Sequence, residues 1–486
     1  MRAYIRDIFE KSNTDDNQLF GIRAISCFLV IVIHTFHFAQ NQVTGLHPFV
    51  LNYIQNLEFI MDIFFLMSAY LVSASFLKDK DRIGFFPSWK AFIQKRSFRI
   101  FPLFLCILGI YIIAWRFSLE IAAKTGNLES NQLESGYNMA WYSDLFYFSN
   151  YFSNRLLAHG WSLSLEEQFY LILPFLILFI TKINKEQILR SILFVILTTT
   201  IFLRFFVFSN EVTFNFEVYK KTIFEPTHTR FEPFVLGVFL AIVRVNRKKI
   251  FTFEGNQLHF WLLVSTLLLV VFNAFTIEEI PFLFYTIRIT LFSFFSFFLI
   301  YFTLENRKEN RFKKFLSNPI FVPIGKLSYG IYLIHFPIVI LILEKFKNGT
   351  NLNEFGYVKL FVSSFISLFV TFVLAWIAYL IIEKPFIRMR EWTNLRFDIK
   401  KNTFYANPIN RSEFPIVIIL LNLSIFLPYL FSLALIKLNF FFGASGGSIS
   451  KLLLIVPICL LTYYFIRYRK DPFTYFVTIK QNLHEK

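Results

Sequence analysis

The sequence predicts an all-α polytopic membrane protein, and three features lead there. Of its 486 residues, 56% are hydrophobic and 20% aromatic, with a mean hydropathy of +0.53, well beyond what a soluble chain carries. Apolar runs long enough to span a bilayer recur about twelve times, at 18–40, 52–76, 100–118, 164–181, 188–208, 231–246, 258–277, 281–304, 327–345, 359–383, 412–436 and 449–467. The formal charge of +17 also falls on one side. With the N-terminus placed in the cytoplasm, Lys and Arg crowd into 77–99, 244–250, 305–326, 384–411 and the tail from Arg467, while 41–51 and 438–448 are nearly free of charge. Such a balance belongs to membrane topology, not to nucleic acid.

The expected organisation is a charged cytoplasmic segment at 1–17, a ten-helix body at 18–388 and a cytoplasmic linker at 389–411 marked by Asn407-Pro408. A C-terminal transmembrane hairpin at 412–467 and a cytoplasmic tail at 468–486 complete it. Residues 1–17 lack an apolar run, so no cleavable signal peptide is expected and the first helix starts insertion. Cys27, Cys106 and Cys459 all lie in apolar runs, which argues against disulfides or a cysteine-based metal site. No dinucleotide-binding or P-loop glycine pattern and no internal repeat is visible.

The first span, GIRAISCFLVIVIHTFH from Gly21 to His37, carries Arg23 and His34 eleven residues apart. That is about 16 Å of helix, half the hydrocarbon thickness. An arginine at membrane depth costs roughly 2.5–3.5 kcal/mol on insertion scales, so such side chains are kept for a reason. His34 is the leading catalytic candidate. The second span returns through NLEFIMDIFFLMSAYL and brings Asp62 to a similar depth. There it either fixes the tautomer of His34 or bonds a backbone group of the bundle.

In KRSFRIFPL, Arg96 and Arg99 are three apart on one helical face, suited either to phosphates or to lipid headgroups and topology. In HGWSLSLEEQFYLILP, Ser162 or Ser164 can cap a helix whose first turn holds Glu166 and Glu167; Glu166 suits the helix dipole and a hydroxylated substrate equally. THTRFEPFVLGVFLA gathers His228, Arg230 and Glu232, and residues two apart do not share a helical face, so a local ion pair is not their purpose. In GKLSYGIYLIHFPIV, Tyr332 and His335 share a face in the inner half, as structural, pathway-lining or catalytic groups. IIEKPF ends the tenth span with Pro385, leaving Glu383 to pair with a basic residue. Trp141, Tyr142, Tyr147, Tyr151 and Trp161 suit sugar stacking or the interfacial aromatic belt.

Two polar clusters are thereby expected. The inner one comprises Arg23, Arg96, Arg99, Tyr332, His335 and Glu383; the outer one comprises His34, Asp62, Trp161, Glu166, Arg230 and Glu232. This suits a donor entering from the cytoplasm and an acceptor outside.

Seven of these segments, in order across most of 18–388, resemble the acyltransferase-3 family of membrane O-acyltransferases: GIRAISCFLVIVIH, DIFFLMSAYL, KRSFRIFPL, HGWSLSLEEQFYLILP, THTRFEPFVLGVFLA, GKLSYGIYLIHFPI and IEKPF. The resemblance implies transfer of an acyl group, often acetyl, from cytoplasmic acyl-CoA to a hydroxyl of an extracytoplasmic or lipid-linked carbohydrate of the cell envelope. It makes His34 the essential histidine, Arg23 its motif partner, and Arg96 and Arg99 the basic pair at the donor. Tyr332 and His335 are assigned to the donor side, and Trp161, Ser162, Arg230 and Glu232 to the acceptor.

An acyl thioester is already activated, so His34 is expected to act as general base, oriented by Asp62 or Glu166, with an acyl-histidine as the chemical variant and no metal. Two departures stand out. Ser68-Ala69 replaces the usual Ser-Gly, and two further helices stand where some members carry a hydrolase-like domain. The expected location is a bacterial inner membrane, multi-pass, with both termini cytoplasmic. The rival classes are a transporter or flippase, which would show repeated halves with interrupted helices, and a scaffold whose polar residues tolerate substitution.

Overall fold

A computed structural model describes residues 7–10, 17–39, 47–124, 141–152, 155–182, 186–210, 215–246, 256–273, 281–305, 311–348, 356–387, 395–398 and 403–406. The hairpin and tail expected at 412–486 lie outside them. The chain runs as α1 (Gln18–Ala39), α2 (Pro48–Gln55), α3 (Met61–Ile83), α4 (Phe85–Lys124), α5 (Gly160–Lys182), α6 (Glu186–Asn210), α7 (Glu232–Val245), α8 (Asn256–Asn273), α9 (Arg288–Glu305), α10 (Ser328–Asn348) and α11 (Tyr357–Ala378). A helix stands at each of the ten places expected between 18 and 388. Among the described residues seven segments are long and apolar enough to cross a membrane, with shorter apolar stretches at Phe194–Asn210 and Gln257–Val271, so the described residues show seven such spans and not the ten plus two expected.

The boundaries follow local chemistry. Pro48 opens α2 under a cap from the His47 ring, which accepts from the Phe49 amide at 3.3 Å. A tight turn at Asn56–Ile60 leads into α3. At the end of α3, Gly84 takes φ 83°, a left-handed conformation that strains any residue with a Cβ and here breaks the chain direction before α4.

Packing within the described residues divides them into two units: 1–92 with 143–377, and 93–142 with 378–486. In the first unit α3 and α7 approach most closely. A methyl carbon on Gly237 would lie 2.5 Å from the Leu66 carbonyl oxygen and 2.6 Å from Ala69 Cβ. The departure at Ser68-Ala69 is therefore matched by a glycine on the facing helix, and Ser68 hydrogen-bonds the Tyr170 hydroxyl of α5.

At the base of α1, a methyl on Gly21 would run into the Leu316 carbonyl, and one on Gly325 would lie 2.6 Å from the Phe20 carbonyl oxygen. These contacts clamp α1 against two short helices, Arg311–Leu316 and Phe321–Lys326, the second of which leads into α10. Part of the N-terminal segment packs here too. Ile8 is buried, Phe9 stands edge-on to Trp376 at 5.4 Å, and Lys326 donates to the Asp7 and Glu10 carbonyls at 2.8 and 2.6 Å.

The second unit holds most of α4 and the chain after α11. Within the stretch read as a polar linker, Leu395–Asp398 pairs antiparallel with Thr403–Ala406, the one strand pair among the described residues.

Candidate active site

The clamp at Gly325 and Phe20 sets the register of α10 against α1. His34 lies fourteen residues beyond Phe20, about 21 Å of helix, and His335 lies ten beyond Gly325, past the turn at Leu327, and the two side chains meet. His335 Nε2 is 3.1 Å from His34 Nδ1, with ring centroids 4.9 Å apart. Two carbonyls then settle the protons. His34 Nδ1 lies 2.9 Å from the Val30 carbonyl oxygen, and His335 Nδ1 lies 2.6 Å from that of Tyr332. A carbonyl only accepts, so both Nδ1 atoms carry hydrogen. His335 Nε2 is left as an acceptor for the His34 Nδ1–H. By these partners His34 Nε2 keeps its lone pair.

The half-buried His34 ring forms part of the wall of a cavity of about 190 Å³ that His37, Glu58, Trp161, Lys220 and Tyr332 also line. Glu58 sits 3.5 Å from Lys220 Nζ and 3.8 Å from His37 Nε2. The Tyr332 hydroxyl is 2.5 Å from Ser162 Oγ, and both reach the His159 carbonyl, at 2.9 and 3.1 Å. The His159 ring stands 5.2 Å from Tyr332 and 5.3 Å from His335 between centroids. The lining thus brings together an imidazole, a carboxylate, an ammonium and an indole.

Of the residues singled out in the sequence, His34, Trp161, Ser162, Tyr332 and His335 come together. Tyr332 and His335 do not join Arg23 in a separate inner cluster. They sit at His34, eleven residues along α1 from Arg23, because the Gly325 contact sets the level of α10 and each helix had been measured from its own end. Arg23 stays near the start of α1.

Asp62 is not a partner of His34. Its Oδ1 accepts from Arg230 Nη2 and Nε at 2.7 and 3.0 Å, and Ser293 donates to its Oδ2 at 3.4 Å. Nor does Glu166 orient His34; it accepts from the Tyr170 hydroxyl at 2.7 Å. The Arg230 guanidinium lies over the Phe224 ring at 3.7 Å and 5.3 Å from that of Trp161, so the Asp62–Arg230 pair stands behind the cavity and not in its wall. Glu232 pairs with Arg204 at 2.7 Å and accepts from Thr200 and Thr290 at 2.9 and 2.8 Å. Arg230 and Glu232 therefore serve two separate buried ion pairs, as their spacing required. Arg96 and Arg99 belong to the second unit, where Arg99 is a charged neighbour of the buried Glu383. Among the described residues no three His, Cys, Asp or Glu side chains converge as metal ligands.

The family described as "Acyltransferase domain" matches residues 16–380. The chain belongs to the acyltransferase-3 family. That match runs from α1 through α11 and includes every candidate site residue named in this subsection except Glu383. Together with the seven apolar helices it makes the chain a multi-pass integral membrane protein. Among its relatives, the O-acetyltransferase OatA of Staphylococcus aureus is 25% identical over 406 residues, 80% of this chain and 60% of that protein. A putative O-acetyltransferase of the same organism is 26% identical over 379 residues, 75% and 56% of the two chains. The chain spans less than two thirds of the length of these curated relatives. No solved structure matches it.

Other residues of this acyltransferase-3 chain escaped the sequence reading. Arg204 carried a usable signal, being an arginine inside the apolar run Ile201–Phe208. Glu58 and Lys220 carried none, since polar residues beside helix ends are ordinarily solvated.

Asp144 was also missed, although it sets where α5 begins. It accepts from the Leu156 and Leu157 amides at 2.8 and 3.1 Å and abuts Gly160, the residue before Trp161. Burial pushes its carboxyl from the ordinary 3.8 up to about 6, against the pull of those amides. Between those values the folded chain holds more protons than the unfolded one, so this group's contribution is full at low pH and is lost as pH rises through 6. Asp144→Asn keeps the acceptor without the charge. Its thermal midpoint relative to wild type is expected to rise between pH 4 and 7, read from paired melting curves across that range.

Proposed function

We propose that this chain is a membrane O-acyltransferase that moves an acyl group, foremost acetyl, from acyl-CoA to a hydroxyl of an extracytoplasmic or lipid-linked carbohydrate. The observation that carries the reading is His34, its Nδ1 engaged by the Val30 carbonyl and His335, in the lining of a cavity that also holds Trp161, Glu58 and Lys220. Trp161 offers a face for a sugar ring, and Glu58 and Lys220 offer an acceptor and a donor for its hydroxyls. In the reaction His34 Nε2 takes the proton of the attacking hydroxyl as its oxygen bonds to the thioester carbon. The tetrahedral intermediate then expels the CoA thiolate, which recovers the proton from His34. Lys220 is the cation of the cavity wall available to the developing oxyanion. Arg96 and Arg99 are proposed to hold the CoA phosphates from the cytoplasmic side. The protein would sit in a bacterial inner membrane with both termini in the cytoplasm.

The test is acyl transfer from labelled acetyl-CoA by the purified full chain. His34→Ala is expected to insert normally and to lose about a hundredfold to ten-thousandfold of the rate, the usual worth of a general base. Transfer at the wild-type rate by that variant would remove the proposal.

A further inference from the structure

Asp62 is committed to Arg230 and Glu166 to Tyr170, so neither carboxylate expected to orient His34 does so. The group that touches its Nδ1 from another helix is a second imidazole. We infer that His335 is the positioning residue of the reaction, a neutral histidine that occupies the place a carboxylate takes in serine hydrolases and fixes His34 with Nε2 as its reactive nitrogen. The inference rests on His34 acting as the base.

Three contacts form a directed chain. The Tyr332 carbonyl takes the hydrogen of His335 Nδ1, which leaves His335 Nε2 without one. That nitrogen in turn takes the hydrogen of His34 Nδ1, which the Val30 carbonyl shares. His335 has no solvent-exposed surface, so water does not compete for its Nε2. When His34 Nε2 accepts the hydroxyl proton, the imidazolium keeps its Nδ1–H bonded to His335, and the pair carries one positive charge in place of none. A carboxylate in that position would add a permanent buried anion needing its own partner, as Asp62 needs Arg230. An imidazole orients the base and remains uncharged in the resting state.

The two amide substitutions separate this role from a purely structural one. In His335→Asn the amide nitrogen takes the place of Nδ1 and keeps the bond to the Tyr332 carbonyl, but nothing occupies the place of Nε2. In His335→Gln the amide oxygen reaches the place of Nε2 and accepts from His34. With labelled acetyl-CoA and water as the acceptor probe, His335→Asn is expected to lose at least a hundredfold in kcat with KM for acetyl-CoA unchanged. His335→Gln is expected to recover at least tenfold of that loss.

Equal activity of the two variants, or a wild-type kcat in His335→Asn, overturns the assignment. Nitrogen NMR of the histidine-labelled wild-type protein provides a readout that needs no variant to fold. A protonated Nδ1 and unprotonated Nε2 on His34 support the assignment, and the opposite tautomer overturns it. If His34→Ala retains activity, it is the base reading that fails; if His34→Ala is inactive while His335→Asn matches wild type, only the present inference fails.

Discussion

Asp62→Ala is expected to destabilise the protein by about 3–5 kcal/mol, the cost of breaking a buried ion pair from one side. Both partners are fully buried, and Arg230 is joined to Asp62 by two hydrogen bonds while its remaining amino group donates to the Phe224 carbonyl at 2.9 Å. Removing the carboxylate strands a guanidinium among the rings of Phe224, Trp161 and Phe65. The reverse change, Arg230→Met, is expected to cost less, since a stranded carboxylate escapes by taking a proton and a guanidinium has no such route. The double variant Asp62→Leu/Arg230→Met, which removes both charges, is expected to recover most of the loss. The measurement is the thermal midpoint of the detergent-solubilised variants followed by size-exclusion chromatography. Additive single costs in the double variant would show that the pair is not coupled. Arg230 also backs Trp161, so Asp62→Ala should lower acyl transfer in the fraction that stays folded.

Gly237→Ala is the second large effect, although it adds only one methyl group. That carbon would sit 2.5 Å from the Leu66 carbonyl oxygen, which is backbone and cannot rotate aside. Helices α3 and α7 must separate, at a cost of about 1–3 kcal/mol as for overpacked cores. Gly237→Leu is expected to prevent accumulation of folded protein. The obvious repair, Ala69→Gly, clears only the contact with the Ala69 methyl and should not restore Gly237→Ala. Recovery of the wild-type midpoint in the Ala69→Gly/Gly237→Ala protein would show that the side chain, not the Leu66 carbonyl, sets the distance.

These two cases show what the sequence could and could not reveal. A helix stands at each of the ten places the apolar runs mark between 18 and 388, because hydrophobic length is a local property, while the fourteen residues of α7 show that an apolar run need not yield a helix of spanning length. His34 was legible because an imidazole at membrane depth costs free energy and attracts notice. Its companion was not. Depth placed Asp62 level with His34, but α3 packs on α7, so the carboxylate found Arg230, 168 residues away in sequence. Tyr332 and His335 were correctly read as sharing a face, yet were put with the wrong neighbours, since spacing within one helix carries no information about its register against another. The acyltransferase-3 resemblance located the segments without saying which of them touch.

The glycines at the foot of α1 make chain length itself a determinant of chemistry. Thirteen residues separate Gly21 from His34, and ten separate Gly325 from His335. One residue added to either interval would raise its imidazole by about 1.5 Å and swing it by about 100° around the helix. The two rings would then face apart while every contact below them stayed intact. The counted interval between glycine and histidine works as a ruler, and a stretch of mostly buried side chains outside the cavity is bound by it as strictly as the reactive ring.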